Sequence, residues 1–161
     1  MVPPELQELF RAFTAGPRAL REQIAGIDAG GMNQRPPGSD WSIRDVLHHL
    51  TDHELVRGVQ VRMILGAEEP PPIPGYDEAR WQRRLQYLWR SPEAALSLFE
   101  QARYVTAELL SHCDRTAWQR TGIHPERGPQ TVHDLVEGLV THTATHVEQA
   151  RAAREALTKR R

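Results

Sequence analysis

The segment at residues 131–157 has one face of apolar side chains at helical spacing, and two histidines continue that face. Its members recur at i, i+4, i+7, i+11 and i+15, and they are Leu135, Leu139, His142, His146 and Ala150. Side chains with this spacing share one side of an α-helix, because the helix turns once every ~3.6 residues. Thr131 followed by Asp134 predicts a capping box where this helix begins. Such a helix must pack against others, with both imidazoles turned inward.

Helical patterns also account for most of the remaining chain, and no segment shows the two-residue alternation of a β-strand. Ser42 and Asp45 predict a second capping box, and Ser91-Pro92 predicts a further helix start. Gly16-Pro17 is expected to kink or break the first helix. The expected long helices cover residues 4–27, 43–65, 92–112 and 131–157, with a short helical piece at 77–89 and loops at 28–40 and 114–130. The prediction is an all-α fold, a four-helix bundle with long connections.

The length and charge of the chain exclude several classes of protein. Its 161 residues suit a single domain, residues 1–161, and Cys113 has no second cysteine with which to form a disulfide. Lys and Arg total 20 against 21 Asp and Glu, so the basic surface of a nucleic-acid-binding or membrane-binding protein is not expected. No apolar run approaches the ~18 residues of a membrane span, and no secretory signal is visible. We therefore expect a cytoplasmic protein.

A second helical face directs further histidines toward the same interior. On the predicted helix at 43–65, this face consists of Val46, His49, Leu50 and His53. If the two helices are neighbours, His49 joins His142 and His146 in a three-histidine metal site with an open coordination position. His48 is an alternative to His49 although it points about 100° away. His53 is either a fourth ligand or a residue at the pocket mouth. The alternative is that all of these are core histidines satisfied by hydrogen bonds.

The chemistry of such a site follows from its ligands. Three neutral imidazoles suit zinc, nickel, copper or iron and leave the charge of a divalent ion uncompensated. The ion would lower the pKa of a bound water toward ~7 or hold a thiol as thiolate. The site is not that of H-E-x-x-H metalloproteases, because Thr143 stands where the glutamate would be. The chain also lacks the E-x-x-H motifs of di-iron carboxylate bundles.

Several segments resemble a known family. The sequence WSIRDVLHHLTD at 41–52 resembles the second-helix signature of the DinB/YfiT-like metalloenzymes, and HTATHVEQ at 142–149 resembles their fourth-helix H-x-x-x-H signature. Weaker support comes from RTGIHPERG at 120–128 and from PGYD at 74–77 followed by Trp81. The resemblance implies a four-helix bundle that holds one divalent ion, often zinc or nickel, on three histidines. The matching positions are His49, His142 and His146. It also implies a homodimer.

Two functional hypotheses remain. Members of this family with assigned chemistry include thiol transferases that use mycothiol or bacillithiol and a maleylpyruvate isomerase, so the resemblance favours a metal-dependent thiol S-transferase-like or hydrolase-like enzyme. Its partners would be a small-molecule substrate and a low-molecular-weight thiol. His53, Glu54 and Arg103 are candidate pocket residues, although Arg103 is also interpreted as a packed stem whose head reaches water. The alternative is a non-catalytic, metal-stabilised helical dimer with a stress-response role. A structural zinc site has four protein ligands, whereas a catalytic site keeps one position open.

Overall fold

The computed structural model describes residues 1–159 and has four long helices, as predicted. The helices are α1 (Gln7–Ile24), α2 (Ala29–Asn33), α3 (Ile43–Gly66), α4 (Glu78–Arg84), α5 (Pro92–Ser111), α6 (Arg115–Trp118) and α7 (Val132–Thr158). Helix α1 packs against α5 and α7, and α3 also packs against α5 and α7. The predicted four-helix bundle is therefore confirmed. Residues 160 and 161 of the predicted domain lie outside the described residues.

Capping side chains fix where the two histidine-bearing helices begin. The Asp45 backbone N–H donates to Ser42 Oγ at 3.2 Å, and the Ser42 N–H donates to Asp45 Oδ2 at 2.9 Å. At the start of α7, the Asp134 N–H donates to Thr131 Oγ1 at 3.0 Å and the Thr131 N–H donates to Asp134 Oδ2 at 2.9 Å. Both predicted capping boxes are confirmed. Because each start is fixed, the direction of every later side chain on the helix follows from its position.

Gly16-Pro17 was expected to kink or break the first helix, and a break is wrong because α1 runs through Pro17. A proline inside a helix removes the hydrogen bond to the carbonyl four residues earlier, which here is Phe13. The Arg103 guanidinium of α5 supplies the missing donor, with Nη1 donating to the Phe13 oxygen at 2.7 Å. Gly16 leaves room for this approach, since a Cβ there would lie 3.2 Å from Arg103 Nη1. The helix continues because a neighbouring helix satisfies its unpaired carbonyl.

The predicted loop at 114–130 is wrong as well, because the segment contains α6 and a β-hairpin. Strand β1 (Thr121–His124) pairs antiparallel with β2 (Gly128–Thr131), and Thr121 faces Thr131. Gly128 has a φ of 71°, which the turn requires and which glycine adopts without strain. The proline-rich segment after α3 adds to the free edge of β1, where the Ile123 N–H donates to the Pro71 oxygen at 2.8 Å. Helix α2 likewise lies inside the predicted loop at 28–40.

Substituting Gly122 by alanine is expected to destabilise the fold by about 1–3 kcal/mol through overpacking. A Cβ at Gly122 would lie 2.7 Å from Ile73 Cγ2 and 2.8 Å from Ile64 Cγ1. The matched control is Gly138→Ala on α7, where nothing lies within 4 Å of the added Cβ and alanine favours the helix by up to ~1 kcal/mol. Chemical denaturation measures both. Equal stability of the two variants would contradict the close packing of β1 on α3.

A buried polar layer separates two apolar clusters in the bundle. One cluster contains Phe13, Val61 and Leu110, and the other contains Leu20, Leu50 and Phe99. Between them along the helices lie buried polar residues, and these include His49, His53, Glu54, Arg57, Arg103 and Thr143. Buried polar groups require partners. This layer contains His49, which the sequence predicts as a metal ligand. Within residues 1–159, no helix is both long and apolar enough to cross a bilayer.

Candidate metal centre

Helices α3 and α7 bring three histidines together. His49 from α3 and His142 and His146 from α7 each offer one ring nitrogen, and these nitrogens all lie within 4.8 Å of one another. The closest pair is His49 Nε2 and His142 Nε2, 2.8 Å apart. His49 is buried, whereas His142 and His146 are half-buried. The cluster is therefore enclosed by the bundle on one side and reaches solvent on the other.

Burial keeps the three rings neutral. It is the largest cause that lowers the pKa of His49 to about 4 and the pKa of His142 to about 2. The neighbouring imidazoles lower both values further, since a second charge close by is unfavourable. Burial also lowers the pKa of His146. A neutral imidazole has one nitrogen with a free lone pair, which is the form that binds a metal ion.

Neighbouring side chains orient the rings. His146 Nδ1–H donates to Gln149 Oε1 at 2.8 Å, which leaves Nε2 free to face the other two histidines. Metal-binding histidines commonly donate their second N–H in this way. The Trp41 ring packs edge-on against His49 with 4.8 Å between centroids, and it stacks on His146 at 5.7 Å. Trp41 therefore holds two rings from different helices in one arrangement.

Glu78 of α4 places a carboxylate beside the histidines. Its Oε2 lies 3.7 Å from His49 Nε2, and its Oε1 lies 3.4 Å from His53 Nδ1. His53 Nδ1 also lies 2.7 Å from the Tyr76 hydroxyl. Hydrogen bonding from His53 is the main cause that lowers the pKa of Glu78 to about 2, so the carboxylate is ionised at neutral pH. His53, Glu78 and His142 form a second group whose ligand atoms lie within 4.8 Å of one another.

His48 lies away from this cluster. Its Nε2 lies 3.2 Å from the Arg90 oxygen, and its ring stacks on Tyr87 with 5.2 Å between centroids. The structure thus brings His49, rather than its neighbour in sequence, to the histidines of α7. The direction of each ring follows from the position of residues 48 and 49 relative to the capped start of α3.

Glu54 and Arg103 face each other in the bundle core. Arg103 donates to Glu54 through Nε at 2.9 Å and Nη2 at 2.7 Å, and Nη2 also donates to Thr143 Oγ1 at 3.0 Å. The guanidinium lies over Phe13 with 4.2 Å to the ring centroid. No hydrogen bond or ion pair within residues 1–159 joins either residue to a histidine of the cluster. Arg103 is 2% exposed. The interpretation from the sequence that its guanidinium reaches water is therefore wrong.

Four neighbours of the cluster were not predicted from the sequence, and they are Glu78, Tyr76, Trp41 and Gln149. Only Gln149 had a local signal, because it lies three residues after His146 on the same helix and can reach its ring. The other three lie in or beside loops, where the sequence predicts a turn or a cap but not what it packs against. Their positions depend on the path of the chain between the long helices.

The donor set fits one divalent ion. A tetrahedral ion with metal–nitrogen bonds of ~2.0–2.1 Å holds its nitrogens about 3.3 Å apart, and small ring movements from the observed 2.8 Å reach that spacing. Three imidazole ligands would leave such an ion a further position for a substrate or a water, and the Glu78 carboxylate lies 3.7 Å from His49 Nε2. His49, His142 and His146 would hold such an ion.

Comparison with known proteins agrees with the fold. Residues 12–150 match the sequence model of the DinB superfamily. A relative from Oceanobacillus iheyensis is 30% identical over 131 residues, which cover 81% of this chain and 75% of that protein. YfiT from Bacillus subtilis is 27% identical over 132 residues, which cover 81% and 74% of the two chains. Both relatives carry the name "Putative metal-dependent hydrolase".

Two solved structures are similar to this one. YfiT from Bacillus subtilis, described as an unusual four-helix bundle, superposes with a TM-score of 0.87 at 20% identity, over 98% of this chain and 91% of that chain. A mycothiol-dependent maleylpyruvate isomerase superposes with a TM-score of 0.73 at 14% identity, over 91% and 60% of the two chains. At these identities the superpositions show the shared fold. The sequence model that matches residues 12–150 shows that the chain belongs to the DinB superfamily.

Proposed function

We propose that the chain is a metal-dependent enzyme in which His49, His142 and His146 bind one divalent ion. The observation that carries this proposal is the convergence of three neutral imidazoles from α3 and α7 within 4.8 Å, beside a carboxylate. The names of the relatives also support a metal-dependent enzyme. A bound ion would supply Lewis-acid activation, which lowers the pKa of a thiol or a water toward neutrality.

The residues around the ion would position the reacting groups. Trp41 and Gln149 fix the imidazoles, and the bundle core excludes water from one side. Glu78 can accept a hydrogen bond from the S–H or O–H of a nucleophile placed beside His49. That proton passes to solvent water as the sulfur or oxygen bonds to an electrophilic carbon, and the leaving group departs with the electron pair of the broken bond. The low pKa of Glu78 makes it a weak base, so we assign it mainly the orientation of the nucleophile.

The first candidate reaction is transfer of a low-molecular-weight thiol to a small electrophile. The fully nitrogenous donor set supports it, because uncompensated positive charge favours a thiolate over a neutral ligand. The second candidate is hydrolysis, which Glu78 supports because a carboxylate can direct a water toward a carbonyl. Both reactions would use the same histidines. The maleylpyruvate isomerase, described as mycothiol-dependent, shares this fold, which adds support to the first candidate.

A two-part assay tests the proposal. Metal content of the purified chain is measured first, and zinc-loaded and nickel-loaded protein is then screened for transfer of cysteine, mycothiol and bacillithiol to an aryl halide and for hydrolysis of nitrophenyl esters. We expect turnover in one arm that disappears on chelation and returns with the metal. An ion that raises the melting temperature without any turnover would favour the non-catalytic, stress-response alternative instead.

Substituting Glu78 by glutamine is expected to lower turnover about 10²-fold while metal content stays at the wild-type level. The amide keeps the size of the side chain and loses the charge that orients the nucleophile. Glu108→Gln, an exposed carboxylate on α5, is the matched control and should keep full activity. Loss of the ion from Glu78→Gln would identify Glu78 as a fourth ligand and contradict the open site.

Four further properties of this protein remain predictions from the sequence. They are zinc or nickel as the ion, a homodimer in solution, a cytoplasmic location, and a single domain formed by residues 1–161. Elemental analysis, light scattering, cell fractionation and limited proteolysis address them in turn.

A further inference from the structure

Arg57 is a buried cation that has no carboxylate partner in the described chain. It lies on α3 one turn after His53 and is 6% exposed. Its Nη1 donates to Gln60 Oε1 at 2.9 Å, and its Nε donates to His53 Nε2 at 3.4 Å. Neither partner is charged to balance it, and no ion pair within residues 1–159 includes it. Burying a cation without a counter-ion is unfavourable, so such an arginine is expected where an anion binds.

The free side of Arg57 faces a pocket that is also lined by His142 of the candidate metal centre. The pocket has a volume of about 490 Å³, which suits a small molecule, and its lining includes Arg57, Arg127, His142 and Thr145. Arg127 comes from the turn between β1 and β2 and is exposed. The Nη2 of Arg57 has no hydrogen bond within residues 1–159, and it is not enclosed by protein. Its donors are therefore available to a ligand.

We propose that Arg57 and Arg127 form an anion-binding subsite next to the candidate metal centre, so that the substrate carries a carboxylate or phosphate group. This proposal rests on the proposed function, because it places the anion beside the atom that reacts. A guanidinium presents a planar fork of donors that matches both groups. Gln60 and His53 hold the Arg57 side chain in place, while Arg127 approaches from the hairpin.

The pKa of Arg57 agrees with this arrangement. Burial is the main cause that lowers it, the nearby charge of Arg127 lowers it further, and Tyr76 and the Glu78 carboxylate offset part of this effect. Two cations that disfavour each other are stabilised together when an anion lies between them. His142 lines the same pocket, so a ligand held by the two arginines would lie beside this histidine.

Two carboxylates, Asp134 and Glu137, also line this pocket. Asp134 caps α7, where it accepts from the Thr131 N–H at 2.9 Å and lies 3.7 Å from His133 Nδ1. The two carboxylates precede His142 by eight and five residues, which is about 12 and 7.5 Å along the helix axis. We therefore place the anion at the end of the pocket where Arg57 and His142 meet.

The test compares an anion with an uncharged analogue on zinc-loaded full-length protein. Isothermal titration at fixed ionic strength measures binding of succinate, inorganic phosphate and uncharged succinamide. We expect one of the two anions to bind and succinamide not to bind. Succinate binding would identify a carboxylate group, and phosphate binding a phosphate group. Arg57→Gln and Arg127→Gln should each weaken the anion on the order of tenfold to a hundredfold, with zinc content unchanged.

Controls separate this proposal from folding and from the metal site. Arg83→Gln removes one exposed charge from α4 and should bind the anion as the wild type does. Arg57→Lys keeps the charge but loses the planar fork of donors. Arg127→Gln alters an exposed residue and should leave the fold intact. The melting temperature of each variant shows whether it is folded. Wild-type affinity in Arg127→Gln and Arg57→Lys, equal binding of succinamide, or binding of neither anion overturns the subsite. Anion binding is also measured on zinc-free protein, so the subsite is tested even without the ion. Failure to take up zinc then overturns the proposed function and not the subsite.

Discussion

Replacing His142 by alanine is expected to weaken binding of a divalent ion by more than ~100-fold. The residue supplies one of three nitrogens that lie within 4.8 Å of one another, and the remaining pair cannot compensate for a lost ligand. The loss should appear as near-zero zinc or nickel after dialysis of the variant, measured by elemental analysis. His49→Ala should behave in the same way even though it lies on a different helix.

Two histidine variants serve as controls for this result. His112→Ala removes an imidazole at the end of α5, outside the cluster, and should bind the ion as the wild type does. His53→Ala should also retain the ion, because His53 lies with Tyr76 and Glu78 at the edge of the site. Full metal content in His142→Ala would show that these histidines are core residues that only hydrogen-bond to one another. Loss of the ion from His53→Ala would indicate a closed, structural site.

Replacing Arg103 by methionine is expected to destabilise the bundle by about 3–5 kcal/mol. The change leaves Glu54 as a buried carboxylate without a partner, and Glu54 is 1% exposed. It also removes the donor to the Phe13 carbonyl that Pro17 leaves unpaired. Equilibrium unfolding in urea measures the loss, with methionine chosen because it retains most of the packing volume.

A second ion pair between helices provides the matched comparison. Arg21 of α1 donates to both oxygens of Glu100 on α5 at 2.7 and 2.6 Å, yet Arg21 is largely exposed. Arg21→Met should cost about 1 kcal/mol or less, since water solvates the charge that remains. The double variant Glu54→Leu/Arg103→Met should recover part of the stability lost in Arg103→Met. Equal effects of Arg103→Met and Arg21→Met would show that the buried pair is not needed for stability.

The sequence predicted those parts of the molecule that depend on local spacing. Capping boxes at Ser42 and Thr131 set the first turns of α3 and α7, and helical periodicity then indicated which side chains face inward. This was enough to predict a four-helix bundle and to select His49, His142 and His146 as residues that could meet. Both inferences needed only the rotation of each helix about its own axis and the assumption that the two helices are neighbours.

The rest depended on contacts that local spacing does not encode. The hairpin was missed because its strands have four residues each and β2 contains Pro129, so no alternation is visible. A kink or break at Pro17 was predicted from a rule about isolated helices, whereas in the bundle a donor from another helix satisfies the carbonyl that Pro17 leaves unpaired. Glu78 and Arg127 reach the site from connecting segments, whose paths are set by tertiary packing.

The Arg103 guanidinium touches all four long helices, since it belongs to α5 and contacts Phe13 of α1, Glu54 of α3 and Thr143 of α7. Thr143 directly follows His142 in the chain. A rotation of α7 by one position would turn its side chains by about 100° and break the contact with Thr143. Arg103 therefore also holds the rotation of α7, and with it the direction of the imidazoles on that helix. A related chain that kept every histidine but lacked Arg103 would lose one of the contacts that set the rotation of α7.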